Sequence, residues 1–199
     1  MDGQTFLVEL DKIGYFSYTS EINQEEARKS IKDNFDRNQC LMVAFSSEKP
    51  YHSKDGRFYN CGDCEELFEE GGVPELLEKM TSLFLALNVR MDYADDSYGE
   101  TGHMIVVNDC TYIMAQGSIL FWGETFLRFA EMINKELDLQ AAREKIYLLS
   151  YDDSQYMILL TQEQFEFIHE YIPAENRPLT TADWEANTVN NIMRTLNGE

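Results

Sequence analysis

Positive charge is scarce in this sequence. It has 16 Lys and Arg against 36 Asp and Glu, which gives a formal net charge of −20. Residues 1–100 contain 21 acidic and 10 basic side chains and residues 101–199 contain 15 and 6, so the acidity is spread along the whole chain. Because nucleic acids and anionic membranes are bound through clustered Lys and Arg, the composition argues against both as partners. It favours a basic protein partner, unless the charge serves only solubility.

Long hydrophobic runs are also missing. The purely apolar stretches are a few residues long, whereas a membrane-spanning helix needs about 20 residues. The segment from Met1 to Phe6 contains no basic residues of the kind that open a signal peptide. We therefore expect a cytoplasmic protein without a signal peptide or a membrane span. Its four cysteines are then expected to be free thiols in a reducing compartment.

Proline and glycine are few, at 4 and 11 residues, which argues against long linkers. Hydrophobic residues make up 44% of the chain and aromatic residues 13%, enough to form a substantial core. A chain of 199 residues has the size of one larger domain. We predict a single globular domain that covers residues 1–199.

Hydrophobic periodicity predicts helices that alternate with antiparallel hairpins. Helices are predicted at 25–37, 74–87, 121–137 and 182–196, with a further helix between Thr161 and Pro173, and strands at 6–10, 41–45, 89–93, 103–107, 111–114, 145–151 and 155–160. Residues 46–60 are predicted to form a loop or an irregular hairpin. Thr161 and Gln164 have the spacing of a helix capping box. The order of elements predicts an α+β fold: a mostly antiparallel sheet of hairpins with amphipathic helices packed on one face.

The sequence contains one weak internal repeat. An Asp-Asp-Ser segment begins at Asp95 and another at Asp152, and each is predicted to follow a helix and a strand. A duplicated helix–hairpin unit over 73–107 and 120–161 would explain the repeat. Because Asp and Ser are common in turns, chance repetition is the favoured explanation.

Cys61 and Cys64 have the CxxC spacing of redox dithiols and of zinc sites. The four glutamates that follow, at 65, 66, 69 and 70, would favour the protonated thiol and oppose redox chemistry. A zinc site needs two more ligands. The available ones, His52, His103 and Cys110, form no second close pair. Ordinary, partly buried cysteine is the favoured interpretation, and Cys61 and Cys64 remain only weak metal candidates.

Two acidic segments are bracketed by tyrosines and are the predicted partner-binding residues. They comprise Asp92, Tyr93, Asp95, Asp96, Tyr98 and Glu100 in the first, and Tyr151, Asp152, Asp153 and Tyr156 in the second. Tyrosine beside carboxylate can bind Lys and Arg through cation–π contacts and charge-assisted hydrogen bonds. The alternative is that tyrosine packs beside each turn while aspartate solvates it.

Signatures of catalysis and of cofactor binding are missing from the sequence. No serine stands in a Gly-x-Ser-x-Gly elbow, Gly71-Gly72 lacks the Lys of a phosphate loop, and no carboxylate pair stands out among the 36. His103 and His169 fit structural positions in a strand and a helix. We therefore expect no cofactor and no catalytic residues.

Three functional hypotheses follow from the sequence. The first is a non-catalytic acidic domain that binds a basic protein, in the form of an immunity or inhibitor protein that neutralises a nucleic-acid-targeting partner. The second is a small enzyme or ligand-binding domain with a pocket lined by tyrosine and carboxylate. The third is a structural module stabilised by zinc.

Overall fold

The computed structural model of the chain describes residues 1–45, 53–99 and 102–198. Its helices are α1 (Gly3–Lys12), α2 (Glu21–Asn38), α3 (Glu65–Phe68), α4 (Gly72–Ala86), α5 (Trp122–Leu139), α6 (Gln162–Tyr171) and α7 (Thr181–Asn197), with a 3₁₀ turn at Tyr15–Tyr18. Its strands are β1 (Phe58–Asn60), β2 (Tyr93–Gly99), β3 (Gly102–Val107), β4 (Cys110–Ala115), β5 (Glu144–Tyr151) and β6 (Ser154–Thr161). None of the helices described here combines the length and the apolar character needed to cross a bilayer.

The strands form two antiparallel three-stranded sheets, ordered β1-β6-β5 and β2-β3-β4. β5 and β6 pair along their whole length, from Glu144 opposite Thr161 to Tyr151 opposite Ser154. The β3–β4 hairpin turns at Asn108-Asp109, where both residues have positive φ angles, as a tight type I′ turn requires. The predicted α+β class and these two antiparallel hairpins are confirmed.

The β1-β6-β5 sheet is buried on both faces. Met157 and Leu159 of β6 belong to a hydrophobic cluster that includes α4 and α5. Ile158 and Leu160 belong to a second cluster, built with α1, α2 and α6. Alternate residues of a strand point to opposite faces, so these four consecutive residues supply both clusters. Helices therefore cover both faces of this sheet.

The β2-β3-β4 sheet is buried on one face only. Ile105 and Val107 of β3, with Met114 of β4, pack into the cluster that contains α4 and α5. Met104 and Ile113 point to the other side and are exposed. For this sheet the predicted arrangement, with helices on a single face, is the one observed.

The predicted helices are present where the apolar period is clearest. α4 and α5 match the predicted 74–87 and 121–137 with ends displaced by one or two residues, and α2 and α7 include the predicted 25–37 and 182–196. The capping box at the start of α6 forms as predicted: the Thr161 hydroxyl accepts from the Gln164 backbone N–H, and the Gln164 side chain accepts from the Thr161 N–H. α6 ends at Tyr171, just before Pro173.

The predicted strand at 6–10 is wrong, because these residues lie in helix α1. Phe6, Leu7 and Leu10 are buried at helical spacing, whereas Val8 is exposed. Asp2 caps the helix by accepting a hydrogen bond from the Thr5 backbone N–H at 2.8 Å. The apolar run is one face of a short helix, which five residues cannot distinguish from a strand.

The predicted strands at 41–45 and 89–93 are also wrong for the most part. Residues 41–44 form no regular strand, and the Met42 carbonyl accepts instead from Asn34 Nδ2 of α2 at 3.1 Å. At Arg90, the Gln140 side chain accepts from the backbone N–H at 2.7 Å and donates to the carbonyl at 2.8 Å. Strand β2 begins only at Tyr93. In both segments a side chain, from Asn34 or Gln140, makes the backbone hydrogen bonds that a neighbouring strand would otherwise make.

The two Asp-Asp-Ser segments hold different positions in the fold. Asp152 lies in the turn between β5 and β6, whereas Asp95 lies within β2, where the pairing with β3 shifts register. The predicted turn at 95–96 is therefore a strand irregularity. Of the predicted loop at 46–60, residues 46–52 lie outside the described residues, and Phe58–Asn60 forms strand β1.

Arg57 is the largest fully buried side chain, with 1% of its surface exposed. Its guanidinium donates to the Leu159 carbonyl, to Gln164 Oε1 and to the Gly14 carbonyl, each at 3.2 Å. It also lies over the Tyr18 ring, 4.3 Å from the centroid. One side chain thus links β6, the start of α6 and the N-terminal segment.

Replacing Arg57 with Met is expected to lower the free energy of unfolding by about 3 kcal/mol, because two buried acceptors and one part-buried acceptor lose their charged donor. Urea denaturation measures the change. Arg143→Met is the matched control: Arg143 is exposed, and its loss is expected to cost less than about 0.5 kcal/mol. Equal effects of the two substitutions would show that Arg57 does not hold these elements together.

Candidate functional site

The first acidic segment is partly neutralised by its own neighbours. Asp92 Oδ2 lies 2.5 Å from Arg90 Nε, and the Tyr93 hydroxyl donates to Glu78 Oε1 at 2.8 Å. The hydrogen bond to Glu78 raises the pKa of Tyr93 above its usual value. These two predicted binding residues are therefore exposed but already engaged within the chain.

Asp96 pairs with a buried histidine. Its Oδ1 lies 2.6 Å from Nε2 of His103, a side chain with 1% of its surface exposed. Asp95, next to it, is exposed and has a φ angle of 49°. This positive φ and the register shift between Ala94 and Ser97 direct the two adjacent carboxylates into different surroundings.

Tyr98 is the predicted residue that most clearly belongs to a site. It is 41% exposed, and its ring packs edge-on against His103 at 5.4 Å and against Phe68 at 6.4 Å between centroids. Glu100, predicted beside it, lies outside the described residues. Tyr98 thus joins β2 to α3 through aromatic contacts.

The second acidic segment has a different character from the one predicted. Asp152 and Asp153 are exposed in the β5–β6 turn. Tyr156 is a core residue, 8% exposed, and packs against Phe58 at 5.4 Å between ring centroids, so its predicted role in surface binding is wrong. Tyr151 is half-buried. Tyr156 points inward because it shares its face of β6 with Ile158, so the half-buried Tyr151 is the tyrosine of this segment that reaches the surface.

The CxxC cysteines occupy an irregular turn before α3. Cys61 is half-buried and Cys64 is buried, with Cys64 in the left-handed region at φ 73°. Burial raises the pKa of Cys61 to about 12 and raises that of Cys64 above its usual range as well. Raised pKa values oppose thiolate chemistry. Within the described residues no three His, Cys, Asp or Glu side chains are grouped as metal ligands, and His52 lies outside those residues.

A pocket of about 410 Å³ opens beside Tyr98. We call it the aromatic pocket. It is lined by side chains from α3, β2, β3, the segment after β4 and the first turn of α5: Phe68, Tyr98, His103, Ser118, Phe121, Trp122 and Glu124, together with the backbone around Gly102 and Gly117. Phe121 and Trp122 are 63% and 49% exposed. Exposed aromatic side chains and the buried side chains of His103 and Glu124 thus line the same cavity.

Glu124 holds the segment that follows β4. It is 4% exposed, and its Oε2 accepts from the backbone N–H groups of Gln116 and Ser118, both at 3.0 Å. Glu124 also lies in the first turn of α5, where the helix dipole favours a negative charge. Gly102 permits close packing here, because a Cβ atom at that position would lie 2.7 Å from the Ala115 carbonyl oxygen. The carboxylate is therefore fixed in the pocket without a basic partner among the described residues.

Phe121 has an unusual backbone conformation immediately before α5. Its φ and ψ angles are 53° and −128°, a region that side chains with a Cβ atom rarely occupy. Behind it, Trp184 of α7 packs against Gly123, where an added Cβ would lie 3.3 Å from the indole ring. The strained residue projects its ring toward the pocket while its neighbours are tightly packed.

Of the residues predicted from the sequence to bind a partner, Tyr98 lines this pocket, and Asp96 contacts its lining residue His103. His103 was expected to be structural, and Phe68, Phe121, Trp122 and Glu124 were not singled out. The Phe-Trp-Gly-Glu segment at 121–124 contained a signal, since adjacent aromatic residues at the start of an amphipathic helix lie partly off its apolar face. The contact between this segment and residues 68 and 98 has no signal in the sequence.

Comparison with protein-family models and with curated proteins gives no match for this chain. Comparison with solved structures gives none either. The functional argument therefore depends on the geometry of the aromatic pocket and on the charge of the chain.

The cysteine environments predict slow alkylation. At pH 8 the iodoacetamide reaction of Cys61 and Cys64 is expected to be at least about tenfold slower in the folded chain than in urea, where a thiol has a pKa of about 8.5. Mass spectrometry of the labelled peptides measures each rate. Equal or faster labelling of the folded chain would identify an activated thiolate and favour redox chemistry.

The conformation of Phe121 predicts an unusual effect of glycine. Phe121→Gly is expected to be more stable than Phe121→Ala by about 1 kcal/mol, because only glycine adopts this backbone region without strain. Both variants lose the same exposed ring, so the difference between their free energies of unfolding in urea measures the backbone strain alone. A more stable alanine variant would show that residue 121 is unstrained.

Proposed function

We propose that this chain is a non-catalytic acidic protein that binds a basic protein partner. The observation that carries the proposal is the aromatic pocket, where exposed aromatic rings surround a buried, negatively charged Glu124. Aromatic and carboxylate groups together bind Lys and Arg side chains. Interfaces often depend on a few such anchoring positions.

The charge of the surrounding surface supports the same proposal. Three of the 36 acidic residues, Glu48, Glu100 and Glu199, lie outside the described residues. Of the remaining 33, eight pair with Lys or Arg within the described part of the chain. Most of the negative charge is therefore available to attract a basic partner and speed its association.

The concrete form of the proposal is an immunity or inhibitor protein. An enzyme that acts on nucleic acid carries Lys and Arg where it contacts phosphates. An acidic face with aromatic anchors complements such a site in charge and can bury its arginines. Occupying the site would keep the nucleic acid out.

A second candidate function is supported by the Asp96–His103 pair. His103 and Ser118 line the pocket and Asp96 contacts His103 from outside the lining, and a histidine oriented by a carboxylate can act as a general acid or base. The volume of about 410 Å³ falls in the range of small-ligand pockets. Native mass spectrometry of the purified protein discriminates the two, since a small molecule that co-purifies and is lost in Trp122→Ala would favour a ligand-binding domain or enzyme.

A nine-residue arginine peptide is expected to bind the chain in a strongly salt-dependent way, with affinity falling at least about tenfold between 50 and 300 mM NaCl, because charge attraction is screened. Isothermal titration calorimetry measures the affinity at each salt concentration. The proposal is overturned if the peptide shows no salt-dependent binding.

Two matched double substitutions locate the binding surface. Glu69→Gln with Glu70→Gln removes two charges next to Phe68 at the aromatic pocket, and Asp152→Asn with Asp153→Asn removes two at the distant sheet turn. We expect the first pair to weaken peptide binding at least about threefold more than the second. Equal losses would mean that general charge, and no particular surface, attracts the peptide.

A further inference from the structure

Glu124 is buried, and no Lys or Arg of the described residues forms a salt bridge with it. Arg128, one helical turn further along α5, pairs with Glu131 at 2.7 Å, and its pKa is raised by Glu131 and also by the charge of Glu124. The two backbone N–H groups bound to Oε2 fix the carboxylate in place but do not neutralise it. A buried charge of this kind gains stability when a cation approaches in a low-dielectric pocket.

The walls of the pocket favour a flat, weakly hydrated cation. Tyr98, Phe121 and Trp122 are exposed aromatic rings, and a guanidinium can stack on such rings. Within the described residues Arg28 lies 4.0 Å from the Phe16 ring centroid and Arg57 4.3 Å from that of Tyr18, and Lys135 lies 4.9 Å from that of Tyr112. An ammonium group is more compact and more strongly hydrated, so it loses more on entering an aromatic pocket.

We infer that the aromatic pocket receives one arginine side chain of the basic partner, whose guanidinium stacks on the aromatic rim and faces Glu124. This inference rests on the proposed function and adds the identity of the anchoring side chain. Charge complementarity selects a cation, and the exposed rings select arginine over lysine. The parts of the aromatic rings that the inserted arginine does not cover would contact the partner's surface next to that arginine.

Trp122 provides a direct probe of the pocket. It is half exposed at the rim, whereas the other tryptophan, Trp184, is 4% exposed in the core. Acetyl-Gly-Arg-Gly-amide, its citrulline analogue and its lysine analogue are titrated at constant ionic strength while tryptophan fluorescence is recorded. Citrulline keeps the shape of arginine without its charge. We expect a saturable change with arginine, at least about fivefold weaker binding with lysine, and no saturation with citrulline.

Substitutions test each part of the site. Glu124→Gln keeps an oxygen that can accept from the Gln116 and Ser118 N–H groups while removing the charge, and it is expected to weaken binding of the arginine tripeptide about tenfold. Tyr98→Leu, which leaves Glu124 intact, is expected to weaken it about threefold. Asp138→Asn is the matched control at the far end of α5 and is expected to leave binding unchanged. Thermal melting checks that each variant folds.

The outcomes separate this inference from the proposed function. If the arginine nonapeptide binds but Glu124→Gln and Tyr98→Leu bind the tripeptide as the unmodified chain does, the pocket inference is wrong and the acidic binding function stands. Saturation by citrulline equal to that by arginine overturns the charged occupant, and equal affinity for lysine overturns the choice of guanidinium. If the nonapeptide itself shows no salt-dependent binding, the proposed function fails first.

Discussion

The burial of β6 on both faces is the constraint on which the rest of the structure depends. Residues 156–160 are all buried, and alternate side chains enter two different hydrophobic clusters. A strand of this kind has no polar face to determine its register, so the register must come from the tight turn with β5 and from the pairing with β1. Helices must then cover both faces, which places α5 and α7 on one side and α1 and α6 on the other.

Arg57 connects this strand to the N-terminal helices. Its backbone carbonyl accepts from the Leu159 N–H at 2.9 Å, and its guanidinium donates to the Leu159 carbonyl. Gln164, which also accepts from Arg57, donates to the Ile13 carbonyl at 2.9 Å. Burial lowers the pKa of Arg57, and the nearby Tyr15 and Asp55 oppose this shift. A buried polar network thus positions elements that apolar contacts alone would leave free to slide.

The sequence predicts the elements whose structure is decided locally. The apolar period of α4 and α5, the capping residues of α6 and the Asn108-Asp109 turn each contain their own physical cause. The errors occur where a distant side chain decides. Asn34 and Gln140 satisfy backbone groups near Met42 and Arg90, and this removes the need for a strand partner. The apolar residues at 41–45 correctly indicate that this segment is packed against the core. They do not indicate which group forms hydrogen bonds with its backbone.

The residues of the candidate site also divide into those that a local sequence pattern predicts and those that only the tertiary structure brings together. Tyrosine beside carboxylate at 92–98 is a local pattern and predicts Asp96 and Tyr98 as surface-site residues, although Asp96 pairs inward with His103. The similar pattern at 151–156 does not give an aromatic surface of the same kind, because Tyr156 lies on an inward face of a strand buried on both sides. The aromatic pocket draws on segments separated by more than 50 residues, from Phe68 to Glu124. Only the packing of α5 against the strands and α3 brings these segments together.

Stability alone does not account for the residues of the aromatic pocket. Glycine would relieve the backbone of Phe121, and polar side chains at 121 and 122 would expose less apolar surface to water. Glu124 could accept from the Gln116 and Ser118 N–H groups equally well if a Lys or Arg of the chain formed a salt bridge with it. Arg128 is one helical turn away, but its salt bridge is with Glu131. Strain, exposed rings and an unneutralised charge therefore coincide at one surface. Folding stability does not require these features, and their presence at one surface is the physical argument for the proposed binding site.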